Sequence, residues 1–414
     1  MRTILQRFFT HLVRCGSLTV VDASGASFDF GDGSGRRHVL VLADADVERA
    51  IAIHPQLALG ETYMEGRWRL RTGTLASFLE LLMANEQSLP RSRLGSLART
   101  ALRRWHQRNS RRAARRNARH HYDVGNDVYR LFLDDDWQYS CAYFPREGVS
   151  LEDAQRAKKR HIAAKLLVEP GDRVLDIGSG WGGLALYLAR HTGADVTGVT
   201  LADNQAMLAR ERAAGEPSVR FHLEDYRAVQ GQFDRIVSVG MFEHVGLAYY
   251  DAFFAQCRRL LDDDGVMLLH SIGRTGVGGT TNPFIQRYIF PGGYIPAMSE
   301  VLSAIERSGL VATDIEVWRL HYAETLRHWG ARFADNRAKV VRARGEAFAR
   351  MWEFYLAGSE AAFRAGDMMV FQIQLARHQH AVPLTRDYMT SAEAALAARD
   401  AVRPTAPALV ARHG

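Results

Sequence analysis

The chain has 414 residues, 47% of them hydrophobic and 24% charged, with a formal net charge of +7 and three cysteines. That length admits two domains and a large core. Cys15, Cys141 and Cys257 lie far apart without a CxxC spacing, which argues against a disulfide framework or a zinc site and for a reducing cytoplasm. No stretch has the roughly 18 consecutive apolar residues of a membrane span.

The chain opens MRTILQRFFTHLVRCG, where Ile4, Leu5, Phe8, Phe9, Leu12 and Val13 recur at helical spacing. Gln6, Arg7, Thr10 and His11 interrupt the run a signal peptide needs. The plainer reading is a helix packed on its own domain; the sharper one is a helix lying on a membrane surface. Residues 1–90 read as a small N-terminal α/β domain serving lipid or membrane interaction. SLTVVDA and HVLVLAD are its strands, around the turn FDFGDGSGRR, and LASFLELLMANEQ is a helix. Residues 91–119 hold eleven arginines and no acidic residue, so this linker alone makes the protein basic. Leu94, Leu97, Ala98, Ala101, Leu102 and Trp105 share one face of a linker helix. A solvated helix and attraction to anionic lipid headgroups both stay open. Nucleic acid is disfavoured, because no aromatic besides Trp105 interleaves the arginines.

Residues 120–144, HHYDVGNDVYRLFLDDDWQYSCAYF, are aromatic, acidic and thiol-bearing, and VLDIGSGWGG follows about thirty residues later. Between them RAKKRHIAAK, Arg156 to Lys165, reads as a solvated helix face. RVLDIGS, ADVTGVT, VRFHLED, FDRIVSVG and GVMLLHSIG then alternate with helical stretches. This predicts a doubly wound, mostly parallel sheet of the Rossmann-like α/β class. Asp176, Gly178, Gly180, Gly182 and Gly183 fall where the first strand turns into a helix, where glycines let a ligand approach the backbone. GxGxxG alone fits a dinucleotide as well. Two residues favour S-adenosylmethionine. Asp176 suits an ammonium and would repel a pyrophosphate, and the second strand ends in Thr200, with neutral Gln205 nearby, where a nicotinamide enzyme places an acid. From 300 to 390 helices dominate, and 392–414 reads as a disordered tail. His120, His121 and His244 lack partners at metal-ligand spacing, so no metal is expected.

The segments HYDVGNDVY, YSCAYF, VLDIGSGWGG, GVTLADNQ, FDRIVSVGMFEHVG, LLHSIGR, RYIFPGGYIP and LHYAETLRHW, in this order over roughly 120–375, resemble the cyclopropane-fatty-acyl-phospholipid synthases and the related mycolic-acid methyltransferases. LALGETYMEGRW resembles the small domain of the phospholipid-acting members. The resemblance implies a class I S-adenosylmethionine-dependent methyltransferase domain over 120–391. It would transfer a methylene to the cis double bond of an unsaturated phospholipid acyl chain and close a cyclopropane ring, with bound bicarbonate as general base. It implies that Cys141, Glu243, His270, Ile272 and Tyr322 hold that ion: Cys141 and Ile272 through backbone N–H groups, His270 and Tyr322 through side-chain donors, Glu243 as acceptor of the ion's own O–H.

The same resemblance implies cofactor contacts from Tyr139, Ser140, Gly178, Gly180, Thr200, Leu201 and Gln205, with Asp225 and Tyr226 near the adenine, and a homodimer held peripherally on the inner membrane face. Taken alone, Cys141 reads as a buried small apolar side chain and Tyr322 as a packed helix aromatic. Glu243 and His270, at the carboxyl ends of predicted strands, read as functional unaided. YLAGSEAAFR carries Ser359 where some members carry cysteine, so a mechanism needing a thiol there is excluded. FPGGYIP, Phe290 to Pro296, is expected to shape an acyl pocket. The rivals are a methyl-branched or exo-methylene product, a non-enzymatic lipid-surface protein, and a methyltransferase for a soluble metabolite.

Overall fold

The structure is a computed structural model describing residues 2–87 and 124–402. The predicted linker helix, His120 and His121 lie outside the described residues. Two compact units emerge: one holds the described residues of 1–101 with 280–291 and 322–368, the other those of 102–279 with 292–321 and 369–414.

In the first unit, β1 (Ser17–Val21), β2 (Ser27–Phe30), β3 (Arg37–Leu42) and β4 (Trp68–Thr72) form a sheet in the order β2-β1-β3-β4. β2 lies inside the stretch read as a turn. Phe28 and Phe30 alternate with exposed Ser27 and Asp29, the pattern of a short edge strand. The helix Arg2–Leu12 is present, and Leu5, Phe9 and Val13 join Leu18, Leu40, Trp68 and Phe78 in the core. The plainer reading of that helix therefore holds for these residues. The helix Glu346–Arg364 packs on the helices Pro55–Met64 and Leu75–Gln87, and its Ala361 enters the same core.

In the second unit, seven strands run in the order β10-β11-β9-β8-β5-β6-β7. They are β5 (Arg173–Ile177), β6 (Asp195–Thr200), β7 (Val219–Leu223), β8 (Phe233–Val239), β9 (Leu261–Arg274), β10 (Val311–Trp318) and β11 (Met368–Ala376). β5 to β9 pair in parallel. Alternate side chains divide between two cores. Leu175, Ile177, Ile236 and Met267 pack one face with the helices Tyr250–Leu260 and Met298–Ser308. Val174, Val237 and Leu268 pack the other with the helices Leu151–Leu166 and Gly183–Thr192. Helices on both faces are the doubly wound arrangement predicted.

Helices do dominate 300–390, as expected, but two strands not foreseen there, β10 and β11, pair antiparallel with Ile315 opposite Ile373. In β10 the carboxylates of Asp314 and Glu316 face Lys165 and His161. Two expectations are corrected. The tail expected from 392 is helical to Val402. The helix Asp387–Val402 puts Leu396 into a core, and Asp400 accepts from the Tyr187 hydroxyl (3.0 Å) and Arg160 (2.6 Å). The stretch Arg156–Lys165 is not a solvated face: Lys158, Lys159, His161 and Lys165 are all buried. Among the described residues no helix is long and apolar enough to cross a membrane.

Candidate active site

Parallel register aligns the carboxyl ends of the central strands. Ile177 pairs with Val199, Thr200 with Leu223, and Val239 with His270. β5 leads to β6 on one side and lies against β8 on the other, so the crevice between β5 and β8 is where an open α/β sheet takes a ligand.

At that crevice the Gly178 and Ser179 N–H groups both donate to the Val199 carbonyl (2.9 and 3.1 Å). Gly178 has φ +89°, and a Cβ there would lie 2.6 Å from that of Met241. Gly182 has φ +83°, and a Cβ there would strike the Phe221 ring. Beside Gly180 lies open space. Asp176 is buried, and its Oδ2 has no hydrogen-bond partner among the described residues. Burial pushes this carboxyl up to about 7, and the Lys158 ammonium opposes that rise. A buried, unpaired carboxylate oxygen beside an open glycine turn is a receptor for an ammonium group. These residues therefore fit the amino-acid end of S-adenosylmethionine.

Thr200 Oγ1 donates to Gln205 Oε1 (3.0 Å) and accepts from the Ala202 N–H (3.3 Å), so the end of β6 is neutral, and Leu201 follows it. Past β7, Asp225 is forked by Arg227 (2.8 and 2.6 Å), whose guanidinium lies over the Tyr226 ring.

The segment ahead of the sheet is strapped onto the glycine turn. Asn126 Oδ1 accepts from the Trp181 indole (3.1 Å), and Tyr129 packs against both Trp181 and Tyr139. Asp134 accepts from the N–H groups of Asp136 (3.1 Å) and Gln138 (2.8 Å), closing a turn that holds Trp137 at φ +59°, a left-handed conformation costly for a bulky residue. Burial works against the charge on Asp136, but Lys159 and Arg212 both bond it and keep the carboxyl low. Asp136, Gln138, Lys158, Lys159 and Arg212 were not singled out as site residues in the sequence, because each pairs with a residue remote in the chain.

Four of the five predicted anion-holding residues lie in this unit. Glu243 sits in a one-turn helix after β8, Phe242–His244, while His270 and Ile272 end β9. Glu243 Oε1 accepts from the Ile272 N–H (2.7 Å), so that donor, expected to face an ion, acts on Glu243 instead. Glu243 Oε2 has no hydrogen-bond partner among the described residues. Burial pushes Glu243 up to about 7, opposed by the Ile272 N–H and, to a smaller degree, by the Glu243 N–H and the Ser271 hydroxyl. Burial takes His270 well below its ordinary value, so the imidazole is neutral. The Gln372 amide nitrogen lies 3.2 Å from His270 Nδ1. With that amide donating, the ring hydrogen resides on Nε2. Gln372, on β11, was not foreseen because its strand was not. Cys141 is fully buried, with its thiol 3.3 Å from the Ala142 carbonyl. An orphaned carboxylate oxygen and a neutral imidazole donor fit a small oxyanion that carries its own proton. In FPGGYIP, the Tyr294 N–H donates to the Glu243 carbonyl (2.9 Å). Tyr322 belongs to the first unit, packed against Trp329 and Phe363.

The chain matches the model of the mycolic acid cyclopropane synthetase family over residues 109–373. It is 40% identical over 321 residues to the cyclopropane-fatty-acyl-phospholipid synthase of Escherichia coli, covering 78% of this chain and 83% of that one. It is 36% identical over 393 residues to the tuberculostearic acid methyltransferase of Mycobacterium tuberculosis, covering 90% of each. Among solved structures it is similar to a cyclopropane synthase from Mycobacterium tuberculosis, with a TM-score of 0.61, 33% identity, and coverage of 63% of this chain and 98% of that one. A mycolic acid cyclopropane synthase complexed with SAH and CTAB gives a TM-score of 0.60, 35% identity, and coverage of 63% and 97%.

Proposed function

The chain belongs to the mycolic acid cyclopropane synthetase family, and we propose that it converts the cis double bond of an unsaturated phospholipid acyl chain into a cyclopropane ring with a bound bicarbonate as base. It is an S-adenosylmethionine-dependent methyltransferase. Held against Asp176 and the glycine turn, that co-substrate supplies an electrophilic methyl group and leaves as a neutral thioether. An alkene is a weak nucleophile, so the chain's contribution is placement, which can supply several kcal/mol of a barrier. The strap from Asn126 to Tyr143 packs Tyr129 and Trp137 against Trp181 of the glycine turn, and would keep water from the cationic carbon left after transfer.

Ring closure requires a proton to leave the newly attached methyl group. The observation that carries this step is the pair of Glu243 and His270. A buried carboxyl with one oxygen fixed by Ile272 and the other unpartnered stands beside a strand ending in a neutral imidazole. Bicarbonate would be held by His270 Nε2–H and the Cys141 backbone. Glu243 would accept the ion's O–H and so aim its basic oxygen, while Ile272 would act by orienting Glu243. The role of Tyr322 rests on the resemblance of LHYAETL. We further propose a homodimer on the inner membrane surface, brought to anionic lipid by the N-terminal unit and the arginine-rich linker.

One observation favours a second reading: the relative matched over 90% of this chain is a tuberculostearic acid methyltransferase, which raises a methyl-branched product. Purified protein with labelled S-adenosylmethionine and unsaturated phospholipid vesicles tests the proposal. A ring-bearing acyl chain by mass spectrometry supports it. A methyl-branched chain transfers support to the second reading, and untouched unsaturation refutes both.

A further inference from the structure

The helix Leu151–Leu166 carries Gln155 and Lys158 three residues apart, on one face, and both are buried. They grip one short segment of the strap. Gln155 Nε2 donates to the carbonyls of Gln138 (3.2 Å) and Ser140 (3.0 Å). Lys158 Nζ donates to Gln138 Oε1 (2.8 Å) and Ser140 Oγ (2.7 Å). An ammonium only donates, so the Ser140 oxygen must accept from it, and the hydroxyl's own hydrogen is directed elsewhere. Ser140 is partly exposed, and its Cβ lies 3.9 Å from the Cβ position of Gly240, at the carboxyl end of β8. That places the Ser140 side chain beside the carboxyl end of β8, next to Met241, which packs on Gly178. Burial pushes Lys158 down to about 8, with Asp134 opposing, so it stays cationic at neutral pH.

A hydroxyl polarised from behind by a buried cation is a strengthened donor. Its complement is an anion. Asp176, whose charge the Lys158 ammonium also feels, is the complement of a cation. We propose that Lys158 is a positioning residue that turns the Ser140 hydroxyl outward as a donor to a carboxylate, so that Ser140 and Asp176 together read the amino-acid arm of the co-substrate. This rests on the S-adenosylmethionine reading and adds the recognition of one end of that molecule.

Titration calorimetry with two probes tests it. S-adenosylhomocysteine carries the amino-acid arm; 5′-methylthioadenosine keeps the nucleoside and thioether but lacks that arm. Lys158→Met should weaken S-adenosylhomocysteine by about tenfold or more, the scale of one hydrogen bond to a charged group, and leave methylthioadenosine within about twofold. Ser140→Ala, which leaves the buried lysine in place, should show the same selective loss and guards against a misfolded Lys158 variant. Equal weakening of both probes would make Lys158 a purely structural residue and overturn the inference. So would retention of S-adenosylhomocysteine affinity in both variants. A wild-type protein that binds neither probe would remove the co-substrate reading itself.

Discussion

Glu243→Gln separates stability from function at the centre of the site. The Glu243 carboxyl rises from 4.5 to about 7 on burial. A raised carboxyl works against the folded state. The penalty is small below about pH 4.5, grows as pH climbs through the interval to 7, and is complete above it. At roughly 1.4 kcal/mol per pH unit, folding of the wild type relative to an uncharged variant should lose roughly 2–3 kcal/mol between pH 5 and pH 8. Glutamine keeps an oxygen for the Ile272 N–H but sets an amide nitrogen where Oε2 lacks a partner, a pH-independent cost of about 1–3 kcal/mol. The informative quantity is therefore the change in the gap between the two proteins, not its size at one pH. Thermal melts at pH 5 and pH 8 should show Glu243→Gln gaining a few degrees on the wild type at the higher pH. S-adenosylhomocysteine affinity should stay near wild type while turnover falls sharply. A gap independent of pH would refute the buried, uncompensated carboxylate, and wild-type turnover would refute its role.

Asp176→Asn should weaken S-adenosylhomocysteine, because the charge on the unpaired carboxylate proposed to meet the ammonium is lost. Near pH 6 the wild-type Asp176, raised to about 7, binds the ligand's ammonium as a carboxylate and should release a proton. Calorimetry in buffers of different ionisation enthalpy should detect that release in the wild type and not in the variant. Gln372→Leu removes the partner of His270 Nδ1 and should lower turnover without changing S-adenosylhomocysteine affinity; a change in affinity alone would contradict the assignment. Asp400→Ala removes the buried acceptor of Tyr187 and Arg160 and should cost on the order of 2–3 kcal/mol in urea unfolding. An unaltered midpoint would mean that the helix Asp387–Val402 is held by Leu396 and its apolar neighbours alone.

The parallel strands and the glycine turn were legible because their signals are local. A run such as RVLDI meets a glycine turn and then a helical period, and Asp176 and Thr200 sit at fixed offsets from it. What escaped reading depends on pairing at long range. β10 alternates apolar side chains with Asp314 and Glu316, which are satisfied by Lys165 and His161 some 150 residues earlier. The same pairing hides the basic helix. Lys158 and Lys159 look solvated until Ser140 and Asp136 are folded against them. β2 is too short for its alternation to outweigh the glycines around it. The site followed suit: Glu243 and His270 were marked by strand ends, whereas Gln372 and Lys158, which bond His270 and Ser140, became visible only in the fold.

The central claim is that the transferred carbon gives up one hydrogen to a base aligned by Glu243. Methyl-deuterated S-adenosylmethionine, presented with unsaturated phospholipid vesicles, tests it directly. The product should retain two of the three deuterium atoms, both on a ring carbon. A product that keeps all three on an acyclic methyl branch would contradict it.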